Sequence, residues 1–322
     1  MGGPCQRATQ RLAPVKRRRA GPDELCGNSR ANAAIIAIMI PFQKVARSIR
    51  SFLGIGPRRL LHIASDVGEG PVVVLVHGVA SSSITWENLV PLLSDDHRVI
   101  CIDILGHGGS PAPDDAEYTL EEHVQWLAHT IKSLKLSSRY TLVGHSLGSL
   151  IVSRYAGTNS KQLDKVVLVS PPVYLVPQEI GDPVVRAATS AYLKAYAYLR
   201  AHKEFTLKRA ALVAKLMPIP NVFGITESNW RAFSLSLEHC IESQTTATDI
   251  ARIPVPVEVV YGSLDQFIVP GSMSFINNMR NVTVHRVEFN DHIVHRKLAR
   301  EVATVIDGSS RIQSAQQIDR VG

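Results

Sequence analysis

The stretch YTLVGHSLGSLIVSRYA, residues 140–156, runs an apolar strand pattern into Gly144, places a hydroxyl at Ser146, returns to glycine at Gly148 and continues as an apolar helix pattern. A hydroxyl set between glycines at the junction of two apolar elements is poorly explained by packing. In a strand–turn–helix corner of the form Gly-x-Ser-x-Gly, the serine occupies strained backbone at the carboxyl end of a strand, so the flanking residues must lack bulk. Gly144 and Gly148 meet that need, and the helix that follows points its positive N-terminal end at the serine.

Outward from this corner, short apolar runs alternate with helical patterns. Strands are predicted at PVVVLVHG (71–78), RVICIDILG (98–106), YTLVGHS (140–146), KVVLVSPP (165–172), PVEVVYGSLD (256–265) and VTVHRVEF (282–289). They are rich in valine and apolar on both faces, as buried parallel strands are. Between them, TLEEHVQWLAHTIKSLK (119–135) opens with Thr119 three residues before Glu122, a capping box, and sets Val124, Leu127, Ile131 and Leu134 at helical spacing. Strand and helix in turn predict an α/β protein with a doubly wound, mostly parallel sheet. RRLLHIASDV (58–67) adds a leading antiparallel edge strand or hairpin.

One interval breaks the rhythm. No convincing strand pattern occurs between Pro172 and Pro254, and VVRAATSAYLKAYAYLRAHKEFTLKRAALVAKLM (184–217) reads as helix. A loop of that length is not structureless inside a compact domain. The expected organisation is a core over 58–172 and 250–307, a helical cap inserted at 173–249, and a polar, poorly ordered tail at 308–322.

The chain has 322 residues, 45% of them hydrophobic, enough for one large core with an insertion. Its net charge of +7 is unevenly spread: residues 1–60 carry twelve Lys or Arg against two acids, which leaves −3 on the remainder. The folded part is not basic and shows no basic run, so no nucleic-acid partner is expected. Residues 1–57 form a basic arm whose apolar run, Ala33–Ile40, is far shorter than the ~20 residues a spanning helix needs. Its composition predicts disorder over 1–38, or a start of translation at Met39. Residues 42–53 have an amphipathic helical pattern, which packs against a domain more often than it lies on a membrane surface. Cys5, Cys26, Cys101 and Cys240 lack metal-site or disulfide spacing, so a reducing, cytoplasmic location and no metal are expected.

A serine hydroxyl is nearly inert at neutral pH and needs a base, and the base needs a partner to orient it. Asp265 falls in the turn after one predicted strand and His292 just after the next. With Ser146 they project from carboxyl ends of strands, where open α/β sheets place their sites. The competing candidates are Asp103, in a glycine-rich turn, and His295 with Asp291, both beside His292. His145 and Ser149 are neighbours in the corner, and Tyr192, Tyr196 and Tyr198 line a helix face that serves either packing or a pocket.

VLVHG (74–78), DILGHGGS (103–110) and GHSLGS (144–149), followed by Asp265 and His292 in that order, resemble the α/β-hydrolase fold superfamily over roughly residues 60–307. The resemblance implies a Ser146–His292–Asp265 triad, an oxyanion hole from the backbone N–H groups of Val79 and Leu147, and a loop shaped by His77 and Gly78. It places the cap after LVSPP (168–172), and it implies no organic cofactor. Some relatives carry the acid after that strand, where this chain has Ser170. Two departures stand out: Asp291 where relatives have glycine before the histidine, and Leu105 where arginine is common.

The expected activity is that of a serine hydrolase on an ester or similar acyl bond of a small, apolar substrate. C–C bond hydrolysis and perhydrolase-type haloperoxidase chemistry use the same scaffold, and a non-catalytic member would bind a small ligand beneath the cap. Nothing in the sequence addresses oligomeric state.

Overall fold

The strand Val72–Val76 reads VVVLV, and every residue of it is buried. Strands with two covered faces need apolar side chains at both parities, which is why alternation is missing here. In the computed structural model, which describes residues 57, 59–174, 180–216, 224–269 and 271–318, this strand (β2) lies inside a seven-stranded sheet. The expectations for residues 1–56, including the amphipathic segment 42–53, lie outside the described residues.

The other strands are β1 Ile63–Val67, β3 Arg98–Ile102, β4 Tyr140–His145, β5 Leu163–Val169, β6 Val257–Gly262 and β7 Val282–Val287, in the sheet order β1-β3-β2-β4-β5-β6-β7. All neighbours run parallel except β1, an antiparallel edge strand on β3. The α/β fold with a mostly parallel sheet is thus the one the strand patterns predict. Val72, Val74 and Val76 face a layer that includes Leu127 and Ile131 of the helix Leu120–Ser133 and Leu150 and Ile151 of the helix Leu147–Asn159. Val73 and Leu75 face the opposite layer, with Leu298, Val302 and Ile306 of the helix Arg296–Ile318. Each such side chain contributes about 1.5–3 kcal/mol on full burial, so the period-two split welds both layers to one sheet.

The register sets where chemistry can occur. Val76 pairs with Gly144, His145 with Val169, Val169 with Val260, and Gly262 with Val287, so the carboxyl ends lie along one rim. Because β3 lies on one side of β2 and β4 on the other, the strand order reverses beside Ser146. Such a switch point opens a crevice at the carboxyl ends of the strands.

Three local readings are modified. Thr119 Oγ1 caps Glu122 N–H at 3.2 Å, as a capping box requires, but Glu122 Oε2 reaches back to the N–H groups of Glu117 and Tyr118, each at 2.8 Å. The positive φ of Tyr118, 52°, turns those donors toward the carboxylate. The long helix over 184–217 is two helices, Pro183–Ala201 and Lys203–Leu216, broken at His202, whose φ and ψ of −115° and 66° are not helical. The residues read as a polar tail carry helical backbone to Ile318. They contain no proline, and a helix anchored on the core propagates without the cost of a new nucleus.

Beyond these helices, the interval between β5 and β6 holds Trp230–Ser236, a π-helical turn Leu237–Ile241, and Thr246–Ala251. Among the described residues no helix is long and apolar enough to cross a membrane. Cys101 and Cys240 are buried free thiols.

Candidate active site

Ser146 sits between β4 and the helix Leu147–Asn159 with φ 51° and ψ −121°, a conformation that costs a non-glycine residue about 1–3 kcal/mol. The corner closes this tightly because its glycines carry no Cβ. One on Gly148 would lie 2.3 Å from the Val76 carbonyl oxygen, and one on Gly144 would lie 2.5 Å from the Gly148 oxygen. Ser146 N–H donates to Val169 O at 3.0 Å, and Ser149 Oγ donates to Gly144 O at 2.7 Å, tying the corner to β5 and to its own strand.

The rim brings Asp265 and His292 together. His292 Nδ1 lies 3.0 and 2.9 Å from the two carboxylate oxygens of Asp265, and Oδ1 also accepts from Phe267 N–H at 2.9 Å. The Asp265 side chain is fully buried, whereas that of His292 keeps 10% exposure. Burial would raise the Asp265 carboxyl, but the hydrogen bond and charge of His292 and the Phe267 N–H outweigh it and hold the group below the ordinary carboxylate range. The buried Ser170 hydroxyl adds to this from the end of β5, although its Oγ has no partner in good hydrogen-bond geometry among the described residues.

His145 supports His292 from behind. Its Nε2–H donates to the His292 carbonyl at 2.9 Å, and the two rings approach with centroids 4.9 Å apart. Burial pushes His145 down to about 3, so it stays neutral, and its buried Nδ1 has no hydrogen-bond partner among the described residues. Phe267 closes another side of His292, edge-on at 4.6 Å.

The competing residues go elsewhere. His295 Nε2 pairs with Asp291 Oδ1 at 3.1 Å, and the same oxygen accepts from Ile293 N–H at 2.9 Å, so these two side chains close on each other. Asp103 accepts from the N–H groups of Ser83 and Gly109, at 2.8 and 2.9 Å, and pairs with His62 at 2.9 Å. Burial would raise its carboxyl, but His77, the Gly109 N–H and His62 hold it well below the carboxylate range. It fastens the turn after β3 to the loop after β2.

His77 shapes that loop: Nδ1–H donates to Gly78 O at 2.7 Å and Nε2 accepts from Ile104 N–H at 3.1 Å, with Asp103 Oδ1 farther off at 3.4 Å. A Cβ on Gly78 would come within 2.8 Å of Ser146 Cβ, so the loop approaches the corner directly. Among the described residues, no acceptor engages the N–H of Val79 or of Leu147.

Sequence reading missed Phe267 and Tyr174. No periodic or motif signal marks them, because their roles arise from loops meeting across the rim. Of the tyrosines singled out, Tyr196 is buried against Tyr174, Tyr192 stacks on Tyr174 at 5.8 Å, and Tyr198 is half-exposed.

A mostly parallel sheet with a serine corner at its switch point defines a class of α/β proteins that known sequences narrow further. The profile of the alpha/beta hydrolase fold matches residues 71–295, and the chain belongs to that family. Among curated proteins, it is 36% identical over 113 residues to a probable lysophospholipase, Bodyguard 1, from Arabidopsis thaliana, covering 34% of this chain and 24% of that protein. It is 33% identical over 141 residues to a cis-3-alkyl-4-alkyloxetan-2-one decarboxylase from Shewanella oneidensis, covering 43% of this chain and 42% of that protein. The matched regions thus span about a quarter to two-fifths of these relatives. Similar solved structures include a serine hydrolase involved in carbazole degradation (TM-score 0.58, 20% identity, 77% of this chain and 93% of that one). A haloalkane dehalogenase variant from Bradyrhizobium elkanii is also similar (TM-score 0.60, 19% identity, 80% and 99%). At such identities these structures speak for the fold.

Proposed function

We propose that this protein is a serine hydrolase that cleaves an ester or similar acyl bond of a small, apolar substrate. The observation that carries the reading is the buried Asp265–His292 pair, held on the same strand rim as the strained Ser146. In this reading His292 Nε2 takes the Ser146 hydroxyl proton as Oγ attacks the acyl carbon. Asp265 keeps the imidazole proton on Nδ1 and balances the charge that the ring acquires. The Val79 and Leu147 N–H groups stabilise the tetrahedral oxyanion, by about 2.7–4 kcal/mol per donor. His292 returns the proton to the leaving group, and water, activated by the same base, hydrolyses the acyl-enzyme. The helices of 173–249 act as a cap that encloses the substrate.

An ester substrate also accords with the name of the plant relative, a probable lysophospholipase. The serine at the corner disfavours displacement chemistry of the dehalogenase kind, which uses a carboxylate nucleophile. The test is labelling by a fluorophosphonate probe together with hydrolysis of an ester panel of graded chain length. The parent is expected to label at Ser146 and to turn over esters, whereas Ser146→Ala should do neither while melting normally. Turnover by Ser146→Ala at the parental rate would end the reading. Labelling without ester turnover, but with cleavage of a vinylogous diketone or peroxide-dependent halogenation, would move the protein to the C–C hydrolase or perhydrolase alternative. An unlabelled, inactive parent would mark a non-catalytic binder.

A further inference from the structure

The loop that carries Asp265 is gripped from the cap side by tyrosines. Tyr192, on the helix Pro183–Ala201, donates its hydroxyl proton to Gln266 O. Tyr174 donates to the next carbonyl, Phe267 O, at 3.1 Å, and because that uses its one proton, Tyr196 is the donor in the 2.9 Å contact between the Tyr196 and Tyr174 hydroxyls. Three rings from two segments thus hold two successive carbonyls. The peptide group between them is the decisive one: Gln266 supplies its C=O and Phe267 its N–H, and that N–H donates to Asp265 Oδ1 at 2.9 Å. A proton donated to a carbonyl polarises the amide and strengthens its N–H as a donor. The path therefore runs from Tyr192 Oη through the Gln266–Phe267 amide to Asp265 and on to His292 Nδ1, 3.0 Å from the same oxygen. A parallel path of rings connects the same parts: Tyr196 stacks on Phe267 at 6.4 Å, and Phe267 meets His292 edge-on at 4.6 Å.

We propose that Tyr192 is a positioning residue for the proposed acyl transfer, acting through the Gln266–Phe267 amide to fix Asp265, so that docking of the cap helix sets how well the acid holds the base. The proposal rests on the serine-hydrolase reading for its kinetic consequence, but its structural consequence at His292 does not require turnover. It gives the cap a role beyond enclosing substrate: a cap helix displaced from the rim takes away the hydroxyl that polarises this amide, so the charge partner of the base is aligned only when the cap is seated.

The test compares the full-length parent with Tyr192→Phe, which deletes the hydroxyl and keeps the ring on Tyr174, and with Tyr198→Phe as a control on the exposed side of the same helix. Two readouts are taken: ester hydrolysis, resolved into kcat and KM, and the downfield proton resonance of His292 Nδ1–H, assigned by its loss in His292→Ala. The expected result for Tyr192→Phe is a fall in kcat of roughly three- to tenfold with KM unchanged, and a displaced or broadened Nδ1–H resonance. Tyr198→Phe should match the parent in both. A hydroxyl that merely braced the cap against the core would lower stability or raise KM without moving the His292 resonance. An unmoved resonance with kcat within about twofold of the parent would overturn the proposal. Should the parent fail to label with fluorophosphonate, the serine-hydrolase reading falls on that result alone, and the resonance still decides for or against the coupling.

Discussion

Replacing Asp265 by asparagine removes one charge and almost no volume, so it separates the electrostatic role of this side chain from its packing. The His292 ring nitrogen lies 2.9 and 3.0 Å from the carboxylate oxygens, and the Asp265 side chain is fully buried. At about 3 Å and an effective dielectric of about 20, a full ion pair is stabilised by about 5 kcal/mol. In the proposed mechanism this pair is complete only when the ring is charged, so its loss falls on the transition state and predicts a kcat lower by between three and four orders of magnitude. The amide also has the wrong proton pattern. Phe267 N–H requires an acceptor at the Oδ1 position, 2.9 Å away, which leaves the asparagine NH₂ to face His292 Nδ1 and favours the tautomer with its proton on Nε2. That ring cannot accept from Ser146. The assay is kcat for a chromogenic ester at neutral pH, normalised to protein whose melting curve shows it folded. A loss smaller than about tenfold in folded Asp265→Asn would refute the assignment of the acid and the reasoning from this geometry.

Other outcomes follow from the same structure. His292→Ala should abolish turnover while His295→Ala keeps most of it, since His295 is engaged by Asp291 at 3.1 Å; kinetics of the two variants check this, and the reverse pattern would transfer the base to His295. Ser146→Gly should be more stable than Ser146→Ala by about 1 kcal/mol, although both are inactive, because glycine accepts φ 51° and ψ −121° without strain; equal denaturation midpoints would argue against stored strain at the corner. The protein should also be acid-labile. Burial first, and neighbouring imidazoles second, push His107 down to about 4 and His123 and His145 down to about 3. These folded values lie below the ~6.5 of the unfolded chain, so the unfolded state binds more protons in between, and stability that is full above that value is lost as pH falls. Over the three groups the loss amounts to about 6 kcal/mol at pH 5, measurable by denaturant titration, and a change below about 2 kcal/mol would contradict it.

The sheet and the corner are legible in local sequence. Valine runs such as VVVLV make two-faced burial the only stable outcome for β2, and Gly144-x-Ser146-x-Gly148 leaves no side chain to obstruct a turn that would otherwise collide with the Val76 carbonyl. These are local requirements: periodicity and the presence or absence of a Cβ are written in adjacent residues. What adjacent residues do not encode is how separate loops face one another. His292 and His295 lie three residues apart beside the same Asp291, and nothing in that spacing says which ring turns to Asp265; the packing of His145 and Phe267 around His292 decides it. The break at His202, hidden in a helical pattern, and the reach of Tyr192 to a carbonyl 74 residues away likewise depend on how the helices between β5 and β6 seat on the rim. A hydrogen bond between distant segments is set by the dihedral angles of two loops and the packing of everything between them, so Asp265, His292 and Tyr192 come together only in the folded chain.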